Sequence, residues 1–267
     1  MKKRKGVSDL TPNPPLLQGS EGRQAFTPHP VGEGTGVRSL NLRIADVGIA
    51  VDLGKIQLDP ESGRYEAFLA GSPGADIRLS VLEGPEPPPR PSQPAFEMPG
   101  HWRLYQESDR QILEIWDPLL ERPNRVADLS GDLSEGILTL GPEGRVDRQG
   151  RAVCERPRRR RLATLLDPLL RILLVDRVGR EDGLMLHAAA FDLDGIGVVF
   201  AGRSGAGKST LSRLFAKHRP DAAVIGDEHI VLRRQGGCWR VHGTPWPGEG
   251  FMVSPGGVPL GRVYLIH

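Results

Sequence analysis

The chain has 267 residues, enough for two modest domains, and its 35 basic and 33 acidic side chains leave a formal net charge of +2. This near-balance argues against nucleic acid as a partner, because a nucleic-acid-binding surface needs a clear excess of positive charge. Two distant cysteines without a C-x-x-C pattern indicate neither a disulfide framework nor a zinc site. No apolar run is long enough to span a bilayer, and no signal-peptide core follows the basic first residues. We therefore expect a cytoplasmic protein with no membrane partner.

The first half of the chain is predicted to be β-rich. Residues 1–38 are rich in Lys, Pro and Gly with little apolar periodicity, which predicts a flexible tail. Residues 39–155 then predict a domain of strands, with Gly48 at a turn or bulge and a proline-rich loop near 84–94. Alternating apolar residues or short apolar runs predict strands at 40–44, 49–53, 65–69, 77–82, 102–105, 112–116 and 136–140.

The second half, 156–267, begins with an arginine-rich run at 156–161. The run fits a solvated boundary segment, or less readily a surface for an acidic or phosphorylated partner. A helix is predicted from 162 to 178, with Pro168 tolerated near its first turn. Two strands, 183–190 and 196–200, follow and are joined by a tight Asp194-Gly195 turn.

A glycine-rich segment follows the second of these strands and fits the pattern G-x-x-x-x-G-K-[ST] of a phosphate-binding loop. Its glycines let successive backbone N–H groups point at phosphate oxygens, while the lysine supplies a charge and the serine hydroxyl a Mg²⁺ ligand. The predicted nucleotide-binding residues are Gly202, Arg203, Ser204, Gly205, Ala206, Gly207, Lys208, Ser209 and Thr210.

A helix with an apolar face of Leu211, Leu214 and Phe215 is expected after the loop, ending before Pro220. Further strands are predicted at 223–228, 230–233, 239–242 and 263–266. The first of them ends in Asp227 and Glu228.

Phosphoryl transfer needs a carboxylate that accepts the proton of the acceptor hydroxyl, and strand ends are where α/β sheets place ligand-binding groups. Asp227 fits this role, whereas Glu228 fits equally well a surface turn or a metal ligand. The carboxylate follows Lys208 by 227 − 208 = 19 positions, which leaves no room for the helical region of transporter-type ATPases. No N-K-x-D motif indicates a small GTPase.

Four motifs in order resemble the C-terminal domain of HPr kinase/phosphorylase, and more closely the HPr-kinase-related proteins that include lasso-peptide tailoring kinases. They are His187 on the preceding strand, the loop from Gly202 to Ser209, the Gly226-Asp227-Glu228 segment and the His242-Gly243-Thr244-Pro245-Trp246 turn.

The resemblance implies an α/β fold, a P-loop kinase domain related to ATP-dependent phosphoenolpyruvate carboxykinase, preceded by a smaller β-rich domain. It also implies an ATP- and Mg²⁺-dependent serine kinase acting on a protein or peptide, with Asp227 as the base and His187 beside it. Lys208 would be a catalytic residue, and Ser209 and Glu228 metal ligands. Members of this family often form hexamers, so a homo-oligomer is one of the states to test.

The sequence departs from the family at several positions. Glu228 stands where HPr kinases have a second aspartate, Arg240 replaces an acidic residue, and Glu249 is a weak substitute for it. The chain ends at His267, where relatives continue, which suggests a short form of the kinase domain. Two other functions therefore stay open: a nucleotide-binding regulatory or scaffold module with impaired catalysis, and a small-molecule kinase.

Overall fold

The structure is a computed structural model that describes residues 39–56, 63–71, 74–84, 89–116, 123–141, 162–219, 222–248 and 252–267. These residues belong to one compact unit with two β-sheets and two α-helices. The expected mixed α/β class is therefore confirmed at this level. The predicted tail at 1–38 and the arginine run at 156–161 lie outside the described residues.

The first sheet contains eight strands in the described residues, ordered β1-β2-β3-β8-β7-β6-β5-β4. The β2–β3 and β3–β8 pairs are parallel and the others antiparallel. Their bounds are β1 Ser39–Ile44, β2 Val47–Asp52, β3 Ile77–Glu83, β4 Phe96–Met98, β5 Trp102–Gln106, β6 Arg110–Trp116, β7 Pro123–Ser130 and β8 Glu135–Leu140. The described parts of the proline-rich segment, residues 84 and 89–94, contain neither helix nor strand.

Two predictions for this half are wrong. Gly48 lies inside β2, and the turn before it is made by Ala45 and Asp46, which both have positive φ. A Cβ on Gly48 would lie 2.3 Å from the carbonyl oxygen of Gly74, so glycine is needed there for close backbone approach. The strand predicted at 65–69 is instead a 3-10 helix, Gly63–Phe68, because its buried Tyr65 and Phe68 recur at a spacing of three.

The second half contributes the two α-helices and the second sheet. Five of its strands pair in a closed ring, β9-β10-β14-β13-β12 and back to β9, and β11 pairs with β9. The elements are α1 Leu162–Gly179, β9 Gly183–Leu193, β10 Ile196–Gly202, α2 Lys208–His218, β11 Ala223–Gly226, β12 His229–Gln235, β13 Cys238–Gly243 and β14 Gly257–Ile266.

Helix α1 packs against β2 of the first sheet and β9 of the second, so that both sheets share one hydrophobic core. The helix buries Leu166, Leu169, Leu170 and Leu174 completely, as its apolar periodicity predicts. Pro168 lies in the second turn and not the first, because α1 begins at Leu162 and continues through the proline. Neither of the two α-helices in the described part of the chain is long and apolar enough to cross a membrane.

Helix α2 ends at His218, as predicted, but its inner face differs from the expected one. Leu214 is 49% exposed, whereas Lys208 and Ser212 are buried. The ring of Phe215 stacks on that of Phe191 in β9, with 4.0 Å between the ring centroids. The inner face therefore runs through positions 208, 211, 212 and 215, which is the i, i+3, i+4, i+7 pattern of a packed helix.

Gly243 is predicted to be intolerant of a side chain. A Cβ there would lie 2.1 Å from the carbonyl oxygen of Ser254 and 2.3 Å from that of Ile225. Because both atoms belong to the backbone, Gly243→Ala should lower the free energy of unfolding by about 1–3 kcal/mol. Urea denaturation measures the effect, and Gly71→Ala is the control, since a Cβ on Gly71 has no neighbour within 4 Å. Equal midpoints for the two variants would contradict this packing.

Candidate functional site

The predicted phosphate-binding loop connects β10 to α2. Gly202 ends the strand, and a Cβ there would lie 2.5 Å from the carbonyl oxygen of Ile266 and 3.2 Å from the Cβ of Ala206. Gly205 and Gly207 have φ angles of 82° and 98°, which residues with a side chain adopt only under strain. The three glycines are therefore required by the loop's path.

Lys208 is the first residue of α2 and only 5% exposed. Its ammonium group turns back over the loop and donates hydrogen bonds to the carbonyl oxygens of Gly202 at 2.7 Å and Arg203 at 2.9 Å. An ammonium group has three N–H donors, so this arrangement leaves one for an anion at the helix N-terminus. The helix dipole favours negative charge at the same point.

The other predicted loop residues differ in their exposure. Arg203, Ser204 and Thr210 are exposed, whereas Ala206 and Ser209 are half-buried. Ser209 is the second residue of α2, within the first helical turn. Its hydroxyl therefore belongs to the same helix end as the Lys208 ammonium group.

The pairing of β9 brings the loop and Asp227 to the same end of the sheet. Along its second half, β9 is antiparallel to β10 on one side and to β11 on the other, so β10 and β11 run in the same direction. Ala201 lies opposite Ala188, and Gly226 lies opposite Ala190. Strands β10 and β11 thus lie two strand spacings, about 10 Å, apart across the sheet, and both point to the same end of it.

Asp227 follows β11 directly and is 3% exposed. Its Oδ1 accepts a hydrogen bond of 2.8 Å from the backbone N–H of Gly248. A Cβ added to Gly248 would lie 3.4 Å from the Asp227 Oδ2 and 3.3 Å from the Glu228 Oε2, so the Gly248 backbone packs against both carboxylates. The carboxylate of Asp227 therefore has a fixed orientation at the strand end.

Glu228 is half-buried, and its backbone carbonyl accepts the N–H of Ala188, which holds this segment to β9. No group of three His, Cys, Asp or Glu side chains in the described residues is arranged to hold a metal ion. Mg²⁺ is commonly bound by one or two protein oxygens together with substrate phosphates and water. Ser209, Asp227 and Glu228 carry oxygen atoms of the kind that such a site uses.

His187 is exposed on β9 and lies opposite His229 of β12, with 5.7 Å between the ring centroids. The residue after His187 donates its backbone N–H to the carbonyl of Glu228, so His187 is next to the strand position that faces the Asp227-Glu228 segment. Burial, and then the positive charge of Arg171, lower the pKa of His229. His229 is missing from the predicted site, although its position directly after two carboxylates at a strand end was a signal for it.

The turn from His242 to Trp246 contacts the segment that follows Asp227 and Glu228. The Thr244 hydroxyl donates to the carbonyl of His229 at 2.7 Å, and Trp246 is fully buried. Gly248 follows two residues later, and sequence patterns gave no indication that its N–H contacts Asp227. The motif from His242 to Trp246 therefore leads the backbone to the N–H group that bonds the Asp227 carboxylate.

Of the positions that depart from the family pattern, Arg240 lies in β13 and donates a 2.5 Å hydrogen bond to the carbonyl of Gly257 in β14. The Arg240 side chain therefore adds a hydrogen bond between β13 and β14. Glu249 lies outside the described residues.

No protein-family model matches this sequence, and a comparison with curated proteins finds no match either.

The lowered pKa of His229 predicts a pH-dependent stability. In the folded protein the ring resists protonation, while in the unfolded chain it takes up a proton near its ordinary pKa of about 6.5. Unfolding then binds a proton, so the free energy of unfolding is highest above about pH 6.5 and falls as the pH decreases below it. The variant His229→Asn should lose less stability than the wild type between about pH 7.5 and pH 5.5 in urea titrations. Equal losses would show that His229 protonates as readily in the folded protein.

Proposed function

We propose that this protein is an ATP-dependent phosphotransferase that moves the γ-phosphoryl group to a hydroxyl. The observation that carries the proposal is the shared edge of the sheet, where the loop at Gly202–Lys208 and the buried Asp227 follow parallel strands on either side of β9. A phosphate-binding loop and a carboxylate at the same end of the sheet, with β9 between their strands, leave room between them for a γ-phosphate and an acceptor oxygen.

The loop supplies the groups that bind a triphosphate. Positive φ angles at Gly205 and Gly207 are the backbone conformation that lets successive N–H groups face a phosphate, and the N-terminus of α2 adds its dipole. The Lys208 ammonium group, fixed by two loop carbonyls, provides a full positive charge for the β- and γ-phosphates. These groups stabilise negative charge without a large rearrangement of the loop.

Asp227 is the group that would accept a proton from the acceptor hydroxyl. As the hydroxyl oxygen forms its bond to the γ-phosphorus, the bond between that phosphorus and the β–γ bridging oxygen breaks and ADP leaves. The hydroxyl proton passes to the carboxylate and then to water. The Gly248 N–H holds Oδ1, so the orientation of the base is set before the substrate binds.

Ser209 and Glu228 would hold Mg²⁺ together with the phosphates, and the ion would neutralise the charge that develops on them. His187 lies beside the carboxylates and could contact the acceptor group.

The resemblance to HPr-kinase-related proteins supports a serine of a protein or peptide as the acceptor. The four motifs lie on β9, in the loop after β10, at the end of β11, and at the end of β13 with the turn that follows it. The specific P-loop kinase fold, the use of ATP, a cytoplasmic location and a homo-oligomeric state belong to the same proposal.

Replacement of Lys208 tests the binding half of the site. Lys208→Ala removes the buried ammonium group that the loop would place against the phosphates, so we expect MgATP to bind roughly 30-fold or more weakly and transfer to be lost. Equilibrium binding of a fluorescent ATP analogue measures the change. Lys217→Ala, at an exposed position of the same helix, is the matched control and should bind like the wild type.

Replacement of Asp227 tests the catalytic half. Asp227→Asn keeps the shape but not the basicity, so transfer from γ-labelled ATP to a serine-peptide library should fall by about 10²–10⁴-fold with nucleotide affinity nearly unchanged. Retained transfer would remove Asp227 from the role of base. Binding without transfer in the wild type would favour a nucleotide-binding module, and transfer to metabolites alone would favour a small-molecule kinase.

A further inference from the structure

Three distant segments of the chain meet at one buried hydroxyl, that of Tyr65. Tyr65 belongs to the 3-10 helix of the N-terminal half and is 1% exposed. Its hydroxyl donates to Asp167 Oδ1 on α1 and accepts the indole N–H of Trp246 at 3.2 Å. Arg64 pairs with the other oxygen of Asp167. The hydroxyl thus joins residues that lie 102 and 181 positions from it in sequence.

The hydroxyl acts as a donor and an acceptor at the same time. Burial, followed by the charge of Asp167, raises the pKa of Tyr65 above its ordinary range, so the phenol keeps its proton. The Trp246 ring is also covered by the guanidinium group of Arg171, 5.3 Å from the ring centroid. These contacts fix both the edge and the face of the indole.

The position of Trp246 determines where the following backbone lies. Gly248 is only two residues further on, and its N–H is the donor to the Asp227 carboxylate. Its backbone is also in close contact with Glu228. A shift of the indole would therefore move the N–H that orients the candidate base.

We infer that Tyr65 is a positioning residue for the candidate site, through which the N-terminal half holds Trp246 and places the Gly248 N–H on Asp227. The catalytic part of this inference rests on the proposed phosphotransferase function. The part that concerns Gly248 and Asp227 can be measured without any activity.

Tyr65→Phe removes the hydroxyl and keeps the ring. Residue-resolved hydrogen exchange should then show a faster Gly248 amide, by about three- to tenfold, the range expected from loss of the neutral hydrogen bond between the indole N–H and the hydroxyl. The amides of β9 should exchange as in the wild type, because a merely destabilised protein would exchange faster in both places. In the transfer assay, kcat should fall while the KM for nucleotide stays unchanged.

Tyr105→Phe is the matched control. Tyr105 is a second buried tyrosine, and its hydroxyl bonds a buried carboxylate, that of Glu114, at 3.1 Å in the first sheet. This variant loses a similar hydrogen bond but has no link to Trp246, so Gly248 exchange and kcat should match the wild type.

An unchanged Gly248 amide in Tyr65→Phe would overturn the inference, as would an equal acceleration in Tyr105→Phe. Should Tyr65→Phe fail to fold, Asp167→Ala removes the hydroxyl's acceptor at a half-buried position and should accelerate the same amide. A wild type without transfer activity would end the kinase proposal, and the exchange rates would still decide whether Tyr65 positions Gly248.

Discussion

The second half of β9 is paired on both edges, and the candidate site depends on this constraint. Because β10 and β11 are both antiparallel to β9, their carboxyl ends point to the same end of the sheet. The loop after Gly202 lies on one side of β9 and Asp227 on the other. Between them β9 presents Ala188, Ala189 and Ala190, all completely buried. Small side chains here allow the neighbouring strands and α2 to pack closely.

A second constraint connects the two halves of the protein. Trp246 is fully buried in the core shared by both sheets, and its N–H bonds Tyr65 of the N-terminal half. The same turn leads to Gly248, whose N–H holds Asp227. The β-rich half, which carries no recognisable catalytic motif, can therefore influence the site through packing. This gives a physical reason why the two halves share a core.

Local signals in the sequence were sufficient for much of the fold. The Asp194-Gly195 turn, with both residues at positive φ, and the loop glycines were predictable because each needs a special backbone conformation. No strand is predicted at the position of β7, because the polar Asp128 interrupts its apolar pattern. The structure shows that Asp128 accepts a hydrogen bond from Arg110 on the paired strand β6. The closed ring of five strands, the contact between His187 and His229, and the bond from the Gly248 N–H to Asp227 all depend on contacts between residues that are distant in sequence.

We propose that a nucleotide's terminal phosphate lies between the loop and Asp227. A crystal structure of the wild type with Mg²⁺ and a non-hydrolysable ATP analogue tests it directly. We expect the β- and γ-phosphates against the loop amides and the Lys208 ammonium group, with the γ-phosphate facing the Asp227 carboxylate across the end of β9. A nucleotide bound elsewhere, or a γ-phosphate directed away from Asp227, would contradict this placement of the substrate.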